Sequence, residues 1–320
     1  MKDLLRIADM SSTDLDTALS LSLEAKLLPH RWGDVLQGES VVLYFSKPST
    51  RTRISFETAV ARLGGVPIVV GPAELQLGRG ETIEDTAKVI SRFAKAFVIR
   101  TFADDDVRRF ASAATIPVIN ALTDGHHPCQ ALADMLTLRE HFGPLAGLKV
   151  AYLGDGNNVA HSLMEACALA GVDVAIATPP GFEPAADVVE AAERLAVRNG
   201  SIAWTTHDPL LAASGAHAIY TDVWVSMGDA EEDRAARETA FRPYEVTDAV
   251  MAEADPRAVF MHCLPAHRGQ EVAADVIDGP SSIVFAQAEN RLHTAVGALV
   301  GLLGHEFQGA GEAVTYRKTA

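Results

Sequence analysis

Cysteine and long apolar runs are both scarce in this sequence. Its 320 residues include 3 cysteines, an odd number that provides no disulfide framework and leaves at least one thiol free. No apolar run approaches the roughly 18 residues of a membrane span, and charged residues follow the first methionine too closely for a signal peptide. These absences predict a soluble protein of the reducing cytoplasm with no membrane partner.

Basic residues are also in the minority. The chain has 27 Lys and Arg against 42 Asp and Glu, a net charge of −15, so a polyanionic partner would be repelled unless a local basic patch overcame this charge. This argues against nucleic-acid binding. In contrast, 48% of the residues are hydrophobic, enough for a large core. At roughly 150 residues per domain, the length predicts two domains.

Strand-like and helix-like segments alternate along the chain, which predicts βα units with a parallel sheet covered by helices. The clearest unit is the apolar run 40–45, followed by a polar turn and a helical pattern at 51–63. The same reasoning predicts further strands at 67–70, 96–99, 117–119, 148–153, 172–177, 218–221, 259–261 and 283–285.

A cluster of glycine and proline at 143–147 separates two such series. We expect an α/β protein of two doubly wound parallel-sheet domains, 1–142 and 148–290, with the active site in the cleft between them. A C-terminal helix within 294–320 is expected to pack back on the first domain.

The turn after the first predicted strand is rich in groups that bind anions. It contains Ser49, Thr50, Arg51, Thr52 and Arg53. Backbone N–H groups at a helix N-terminus, hydroxyl groups and guanidinium groups all bind phosphate-like anions, and α/β folds bind ligands at the carboxyl ends of strands. The turn lacks the GxxxxGK[ST] pattern of a P-loop. We therefore expect an anion site of another kind.

Two other segments at strand ends, HHPCQ at 126–130 and HCLP at 262–265, contain residue types that ligate zinc. The candidate ligands are His126, His127, Cys129, His262, Cys263 and His267. The paired CxxC or HxxxH spacing of zinc sites is absent, so we expect no metal.

A glycine-rich turn at 154–158 suggests a dinucleotide site, but two details oppose it. Val159 stands where the third glycine of the motif should be, and the next strand ends at Ala177 without an acidic residue for a ribose. We expect no cofactor.

Four segments together resemble the signature set of the carbamoyltransferases, and among these the ornithine carbamoyltransferase family. They are FSKPSTRTR at 45–53, HPCQ at 127–130, DVWVSMG at 222–228 and HCLP at 262–265. The first two mark the superfamily shared with aspartate carbamoyltransferases, whereas SMG and HCLP indicate ornithine. An aspartate enzyme is expected to have HPLP where this chain has Cys263. The resemblance covers nearly the whole chain.

This resemblance implies transfer of a carbamoyl group from carbamoyl phosphate to the δ-amine of L-ornithine, giving L-citrulline and phosphate in arginine metabolism. The alternatives are a carbamoyltransferase for another amine, such as putrescine or N-acetylornithine, and a non-catalytic protein that kept the fold. Asn158 and Asp222 suit the carboxylate and ammonium of an α-amino acid, which opposes the first alternative. The complete set of motif residues opposes the second.

The motifs also imply a role for each candidate residue. The phosphate would be bound by Ser49, Thr50, Arg51 and Thr52. The carbamoyl end would be held by Arg100, His127, Gln130, Cys263, Leu264 and Arg291, of which Arg100, His127 and Cys263 would be catalytic. Ornithine would be bound by Asn158, Asp222, Ser226 and Met227. No role is implied for His126 or Cys129.

Assembly is implied by the polar, glycine-flanked loop at 74–80. In the similar family the corresponding glutamine reaches into the active site of a neighbour. The resemblance therefore implies a homotrimer with shared active sites, in which Gln76 completes the phosphate pocket.

The residue types suit the chemistry of carbamoyl transfer. Arg51 and the helix terminus would neutralise charge on the departing phosphate, and Thr52, Arg100 and His127 would donate to the oxyanion of a tetrahedral intermediate. The attacking amine must be neutral, although its free pKa is about 10.4, as for lysine, and desolvation beside cations lowers that pKa. The departing phosphate can accept the proton, and Cys263 could orient the amine or take part in proton transfer.

Overall fold

The computed structural model describes residues 1–47, 49–75, 80–225 and 234–305. In the first half of the chain, strands alternate with helices. The strands are β1 (Ser40–Phe45), β2 (Val66–Val70), β3 (Ala96–Arg100) and β4 (Val118–Leu122). The helices are α1 (Ser12–Leu27), α2 (Thr50–Arg62), α3 (Ile83–Ile90), α4 (Asp104–Ala113) and α5 (Pro128–Phe142).

The second half repeats this alternation and ends in a long helix. Its strands are β5 (Lys149–Leu153), β6 (Asp173–Ala177), β7 (Ala203–Thr206), β8 (Ala218–Thr221) and β9 (Val259–His262). Its helices are α6 (Asn158–Ala170), α7 (Ala186–Asn199), α8 (Pro209–Ala213), α9 (Arg234–Phe241), α10 (Asp248–Glu253), α11 (Ala274–Ile277) and α12 (Val284–Leu302).

The strands form two parallel sheets, with the orders β2-β1-β3-β4 and β7-β6-β5-β8-β9. In each sheet the chain first builds outward on one side of an inner strand and then continues on the other side. The reversal lies between β1 and β3 in the first sheet and between β5 and β8 in the second. A crevice opens at the carboxyl ends of strands at such a point. The predicted class of two doubly wound α/β sheets is confirmed.

Local signals in the sequence set the helix ends. Ser11 and Asp14 form a capping box at the start of α1, each side chain accepting from the other residue's backbone N–H. The side chain of Asn157 caps α6, which ends at Gly171 in the left-handed conformation. Such N-caps are each worth about 1 kcal/mol. Pro128 begins α5, where its missing N–H costs no helical hydrogen bond.

The central strands are buried on both faces, as expected for a parallel sheet between helix layers. Every residue of β3, β8 and β9 is buried, which explains why each of these strands is an apolar run up to its last residue, Arg100, Thr221 or His262. The edge strand β2 is more exposed. Within the described ranges, no helix combines the length and the hydrophobicity needed to cross a membrane.

The segment 283–285 is not a strand, contrary to the expectation from its three apolar residues. An isolated bridge joins Phe260 to Ser282, the N–H of Ile283 donates to the carbonyl of Phe260 (3.0 Å), and α12 then begins at Val284. Three consecutive apolar residues have no period that distinguishes a strand from a helix. The buried polar residues that follow in α12 obscured its apolar face.

The last helix also differs from the expected span of 294–320. It begins at Val284 and ends just before Gly304, whose φ of 87° is left-handed and stops a helix; residues 306–320 lie outside the described ranges. α12 packs along α1, α2 and α5 of the first half. It therefore connects the second sheet to the helix layer of the first.

We expect Gly297→Ala to destabilise the protein because α1 and α12 touch at that glycine. An added Cβ would lie 2.7 Å from the backbone nitrogen of Ser22 and 2.9 Å from the carbonyl oxygen of Ala18. Forcing such contacts apart typically costs about 1–3 kcal/mol, which denaturant unfolding measures. Gly301→Ala is the matched control, since its Cβ would meet only the flexible Leu21 Cδ1 at 3.3 Å. Equal stability of both variants would contradict this account.

Candidate active site

The anion-binding turn lies at the reversal point of the first sheet. Ser49 is the N-cap residue of α2, but its side chain makes no capping hydrogen bond. Its Oγ instead accepts from Arg100 Nη1 (3.0 Å), at the end of β3. Thr50 and Arg51 are exposed beside it. The backbone N–H groups of this first turn therefore have no side-chain cap, and uncapped N–H groups of this kind can bind an anion.

Arg53 departs from the sequence-based cluster. Its Nε donates to Glu57 Oε1 (2.6 Å) one turn further along α2, and its side chain is exposed. Of the two arginines in the turn, only Arg51 lacks a carboxylate partner within the part of the chain that the structure describes. Arg53 thus lies on the helix surface, where it forms an ordinary i,i+4 ion pair with Glu57.

A buried guanidinium group joins three helices next to this turn. Arg291 of α12 donates from Nη1 to Gln130 Oε1 of α5 (2.6 Å) and from Nη2 to Thr52 Oγ1 of α2 (3.0 Å). All three side chains are buried. His127, the N-cap residue of α5, is also buried, and its backbone N–H donates to Ser162 Oγ of α6 (2.8 Å). Residues far apart in the sequence are therefore assembled in one pocket.

The pocket carries unbalanced positive charge. Among the described residues, Arg51, Arg100 and Arg291 form no ion pair with a carboxylate. Burial, followed by the charges of Arg291 and Arg51, lowers the pKa of Arg100 to about 10. Burial and these three cations also lower the pKa of His127 well below its ordinary value. His127 is therefore neutral at pH 7, and the guanidinium groups provide the charge that attracts an anion.

A second group of side chains lies at the reversal point of the other sheet. Asp222 follows β8, and its Oδ2 accepts from Asn157 Nδ2 (3.0 Å) on the turn after β5. Its Oδ1 accepts from Cys263 Sγ (3.0 Å) after β9, and from the N–H of Val223 (2.8 Å). Three strand ends thus contribute to one polar cluster. The Asp222 carboxylate at its centre is buried.

The Cys263 thiol keeps its proton in this environment. Burial raises its pKa well above the ordinary value, and the carboxylate of Asp222 raises it further, both by charge and by accepting the S–H hydrogen bond. The charge of Arg51 opposes the shift, which shows that the cationic pocket and the Asp222 cluster are within electrostatic range of each other. Cys263 is a hydrogen-bond donor here, not a thiolate.

The backbone at Leu264 is fixed by the residue two positions earlier. Leu264 has φ 59°, the only positive φ of a residue other than glycine in the described ranges, and its N–H donates to His262 Nδ1 (2.8 Å). The other ring nitrogen, Nε2, lies 3.3 Å from Glu271 Oε1, with both side chains buried. Strained backbone of this kind persists only where its surroundings hold it. His262 and Glu271 provide that support.

Of the remaining predicted residues, the structure describes Asn158 but not Gln76, Ser226 or Met227. Asn158 Nδ2 donates to the carbonyl of Thr123 in the first half (2.6 Å), and its role toward ornithine stays a prediction. The neighbouring Asn157, which was not among the predicted site residues, donates to Asp222. Its signal in the sequence was an N-cap position before an apolar helix. Gln76, Ser226 and Met227 lie outside the described residues, so their roles stay predictions.

Among the six residues with zinc-ligand chemistry, only His262 and Cys263 are grouped within the described ranges. With Asp222 they place one ligand atom each within 4.8 Å of one another. Cys129 is a buried packing residue whose Sγ donates to the carbonyl of Asn120 (3.3 Å), and burial raises its pKa to about 11. Because Cys263 Sγ donates to Asp222 Oδ1 and His262 Nδ1 accepts from the N–H of Leu264, this arrangement is a hydrogen-bonded cluster in the structure.

Two further buried polar residues extend the pocket and were not predicted. Asp134 of α5 accepts from the side-chain amides of Gln130 and Gln287. Both Asp134 and Gln287 have no exposed surface. Their only signal in the sequence is a polar residue at a buried position of an otherwise apolar helix, which indicates a hydrogen-bonded network but not its partners.

Two family models match the chain, one for each half. The carbamoyl-P binding domain of aspartate/ornithine carbamoyltransferase matches residues 2–140. The Asp/Orn binding domain of the same family matches residues 146–302.

Individual relatives agree with the family models. An ornithine carbamoyltransferase from Parafrankia sp. is 58% identical over 277 residues, 86% of this chain and 87% of that protein. One from Bacillus subtilis is 49% identical over 302 residues, 94% of each. The structure of ornithine carbamoyltransferase from Pyrococcus furiosus has a TM-score of 0.90 and 47% identity, covering 93% of this chain and 96% of that one. With a site of this geometry and relatives of this similarity, the chain belongs to the aspartate/ornithine carbamoyltransferase family.

Proposed function

We propose that this protein transfers the carbamoyl group of carbamoyl phosphate to the δ-amine of L-ornithine, giving L-citrulline and phosphate. One observation carries the proposal: a pocket of three guanidinium groups lies beside a separate cluster around the carboxylate of Asp222. A dianionic donor fits the first, and an amino acid with an α-ammonium group fits the second. The ornithine carbamoyltransferases similar to this chain are named for this transfer.

The phosphate of the donor would occupy the turn at the start of α2. Ser49, Thr50, Arg51 and Thr52 would surround it with hydroxyl groups, backbone N–H groups and the Arg51 guanidinium group. As the bond from carbon to the bridging oxygen breaks, negative charge grows on the phosphate. Donors already held in place stabilise that charge without reorganisation. This would lower the barrier to departure of the leaving group.

The carbamoyl end would lie deeper, against α5 and α12. Arg100, His127 and Thr52 would donate to its oxygen, which becomes an oxyanion when the amine adds. Gln130 and the main chain at Leu264 would contact its amino group, and Arg291 would hold Gln130 in place through the 2.6 Å hydrogen bond. Because His127 is neutral, it would act here as a hydrogen-bond donor without adding charge.

Ornithine would bind at the second sheet, with its α-ammonium group on Asp222 and with Asn158, Ser226 and Met227 as further contacts. The δ-amine has to be neutral to attack the carbamoyl carbon, and nearby guanidinium groups lower the pKa of an amine. The protonated Cys263 thiol would orient this amine. The proton released by the amine would go to the departing phosphate, which balances the reaction without a metal or cofactor.

We place the domain boundary between residues 142 and 148, with carbamoyl phosphate bound by 1–142 and ornithine by 148–290. The interval between the two family matches supports this division. The first domain would include α12 as a covering helix, because α12 packs on α1, α2 and α5. The active site would then lie in the cleft between the domains.

We also infer a homotrimer with shared active sites, in the cytoplasm, serving arginine biosynthesis. The edge strand β2 exposes Val66 and Ile68, and Phe93 is 76% exposed near the same sheet. An apolar edge strand invites pairing unless another surface covers it, and neighbouring subunits would provide that cover. All three cysteines are free thiols, which supports a reducing compartment.

We expect ornithine to be the preferred acceptor in a panel with putrescine, N-acetylornithine and aspartate. Putrescine has no α-carboxylate and N-acetylornithine has no α-ammonium group, so each leaves buried polar groups of the site unpaired. Such mismatches reduce kcat/KM by about 100-fold or more. A colorimetric assay of ureido product measures this, with carbamoyl phosphate alone as the blank. A better rate with another amine would favour that acceptor, and no product with any amine would favour a non-catalytic protein.

Asp222→Asn should weaken the binding of ornithine and leave the binding of carbamoyl phosphate nearly intact. Loss of one partner of a desolvated charge pair costs about 2–5 kcal/mol, or roughly 30- to 3,000-fold in affinity. Calorimetry with carbamoyl phosphate, followed by norvaline as an ornithine mimic, separates the two ligands. Asp208→Asn is the matched control, because Asp208 only caps α8 and asparagine caps equally well. Unchanged norvaline affinity in Asp222→Asn would disprove the assignment.

Hybrid trimers test the sharing of sites. Gln76→Ala and Arg51→Ala should each be nearly inactive alone. If each site takes Arg51 from one subunit and Gln76 from the next, random mixing leaves about one quarter of sites intact. Activity should therefore return when the two variants are dissociated and reassembled together. No recovery in trimers shown by a charge tag to be mixed would rule out sharing.

A further inference from the structure

Asp134 is the centre of a buried hydrogen-bond network behind the carbamoyl pocket. It lies one helical turn after Gln130 on α5 and has no exposed surface. Its Oδ1 accepts from Gln130 Nε2 (2.8 Å) and from Gln287 Nε2 (2.7 Å), with the Tyr220 hydroxyl at 3.5 Å. Its Oδ2 has no hydrogen-bond partner among the described residues. Asp134 therefore uses one oxygen as a shared acceptor for two amides.

Asp134 and Arg291 together decide which way the Gln130 carboxamide faces. A carboxamide has a donor end and an acceptor end. Since Nε2 is bound to Asp134, Oε1 must point the other way, where it accepts from Arg291 Nη1 (2.6 Å). An oxygen has a second lone pair, so Oε1 can accept one more hydrogen bond from a ligand in the pocket. A reversed amide would present N–H donors both to Arg291 and to the ligand.

The network also reaches the segment that carries Cys263. Gln287 donates to Asp134, and its own Oε1 accepts from the backbone N–H of His262 (2.9 Å). His262 directly precedes Cys263. The orientation of Gln130 in the first half is therefore tied through Asp134 to the end of β9 in the second half.

We propose that Asp134 is a positioning residue that holds the Gln130 oxygen toward the amino group of the carbamoyl ligand and thereby makes the pocket prefer a carbamoyl phosphate to an acyl phosphate. The inference rests on the proposed function, because it takes the ligand to be carbamoyl phosphate. Acetyl phosphate has a methyl group where carbamoyl phosphate has its amino group. Only the carbamoyl compound can donate to Gln130 Oε1.

The test compares two replacements of Asp134. Leucine has a similar size but no acceptor, so Gln130 Nε2 loses its partner and only Arg291 still orients the amide. Asparagine keeps an oxygen that can accept from both glutamines. Burial raises the pKa of Asp134 to about 7 despite these donors, so the site accommodates a neutral side chain and asparagine is the conservative replacement.

Calorimetry on the full-length protein should use carbamoyl phosphate, acetyl phosphate and inorganic phosphate, without an amine acceptor. We expect the wild type to prefer carbamoyl phosphate to acetyl phosphate by about 10-fold, the worth of one hydrogen bond between well-placed partners. Asp134→Leu should lose most of this preference while its affinity for inorganic phosphate stays within about twofold. Asp134→Asn should restore the preference.

Three results would overturn the proposal. One is a wild type without preference for carbamoyl phosphate, which decides the matter even where Asp134→Leu fails to fold. Another is an equal loss of affinity for all three ligands in a folded Asp134→Leu protein, which would give Asp134 a merely structural role. The third is loss of the preference in Asp134→Asn. Binding is measured without turnover, so a failure of the acceptor panel would disprove the proposed reaction without changing these ratios.

Discussion

The burial of Arg291 among neutral partners is the constraint on which the site depends. Its guanidinium group is held by an amide oxygen and a hydroxyl group, not by a carboxylate, and two further arginines lie within electrostatic range. Placing unpaired cations in a buried site costs free energy of folding. A dianionic ligand removes that cost when it binds. If the site binds an anion as proposed, it trades stability of the empty protein for affinity toward that anion.

The fold makes this arrangement possible because both sheets reverse their winding. In the first sheet the reversal brings the start of α2 next to Arg100 at the end of β3. In the second it brings Asn157 next to Asp222. Each sheet thus presents one polar cluster at its own crevice. α12 begins beside the second sheet and packs on the helices of the first, so its Arg291 contributes to the pocket of the opposite half.

The sequence predicted what depends on local pattern. The apolar strand 40–45, the turn at Ser49 and the alternation of βα units could be read directly, since buried parallel strands are continuous apolar runs. The contact between Arg291 and Thr52 spans 239 positions, and no local pattern encodes it; the family resemblance assigned both residues to one ligand but did not predict this contact. The start of α12 and the contact of Asn157 with Asp222 were missed because they depend on tertiary hydrogen bonds. Asp134 was missed for the same reason.

Protonation in the site follows from the same burial and charge. Burial and three cations keep His127 neutral, and burial with Asp222 keeps the proton on Cys263. Neither side chain is then a base strong enough to take a proton from an ammonium group. In the proposed reaction, an acceptor ammonium group would lose one proton to solvent before it attacks, and nearby guanidinium groups favour this loss by lowering the pKa of the amine. A second proton, released after the amine has added, would go to the departing phosphate. The first of these proton transfers would therefore depend on the same unneutralised arginines that we propose to bind the anion.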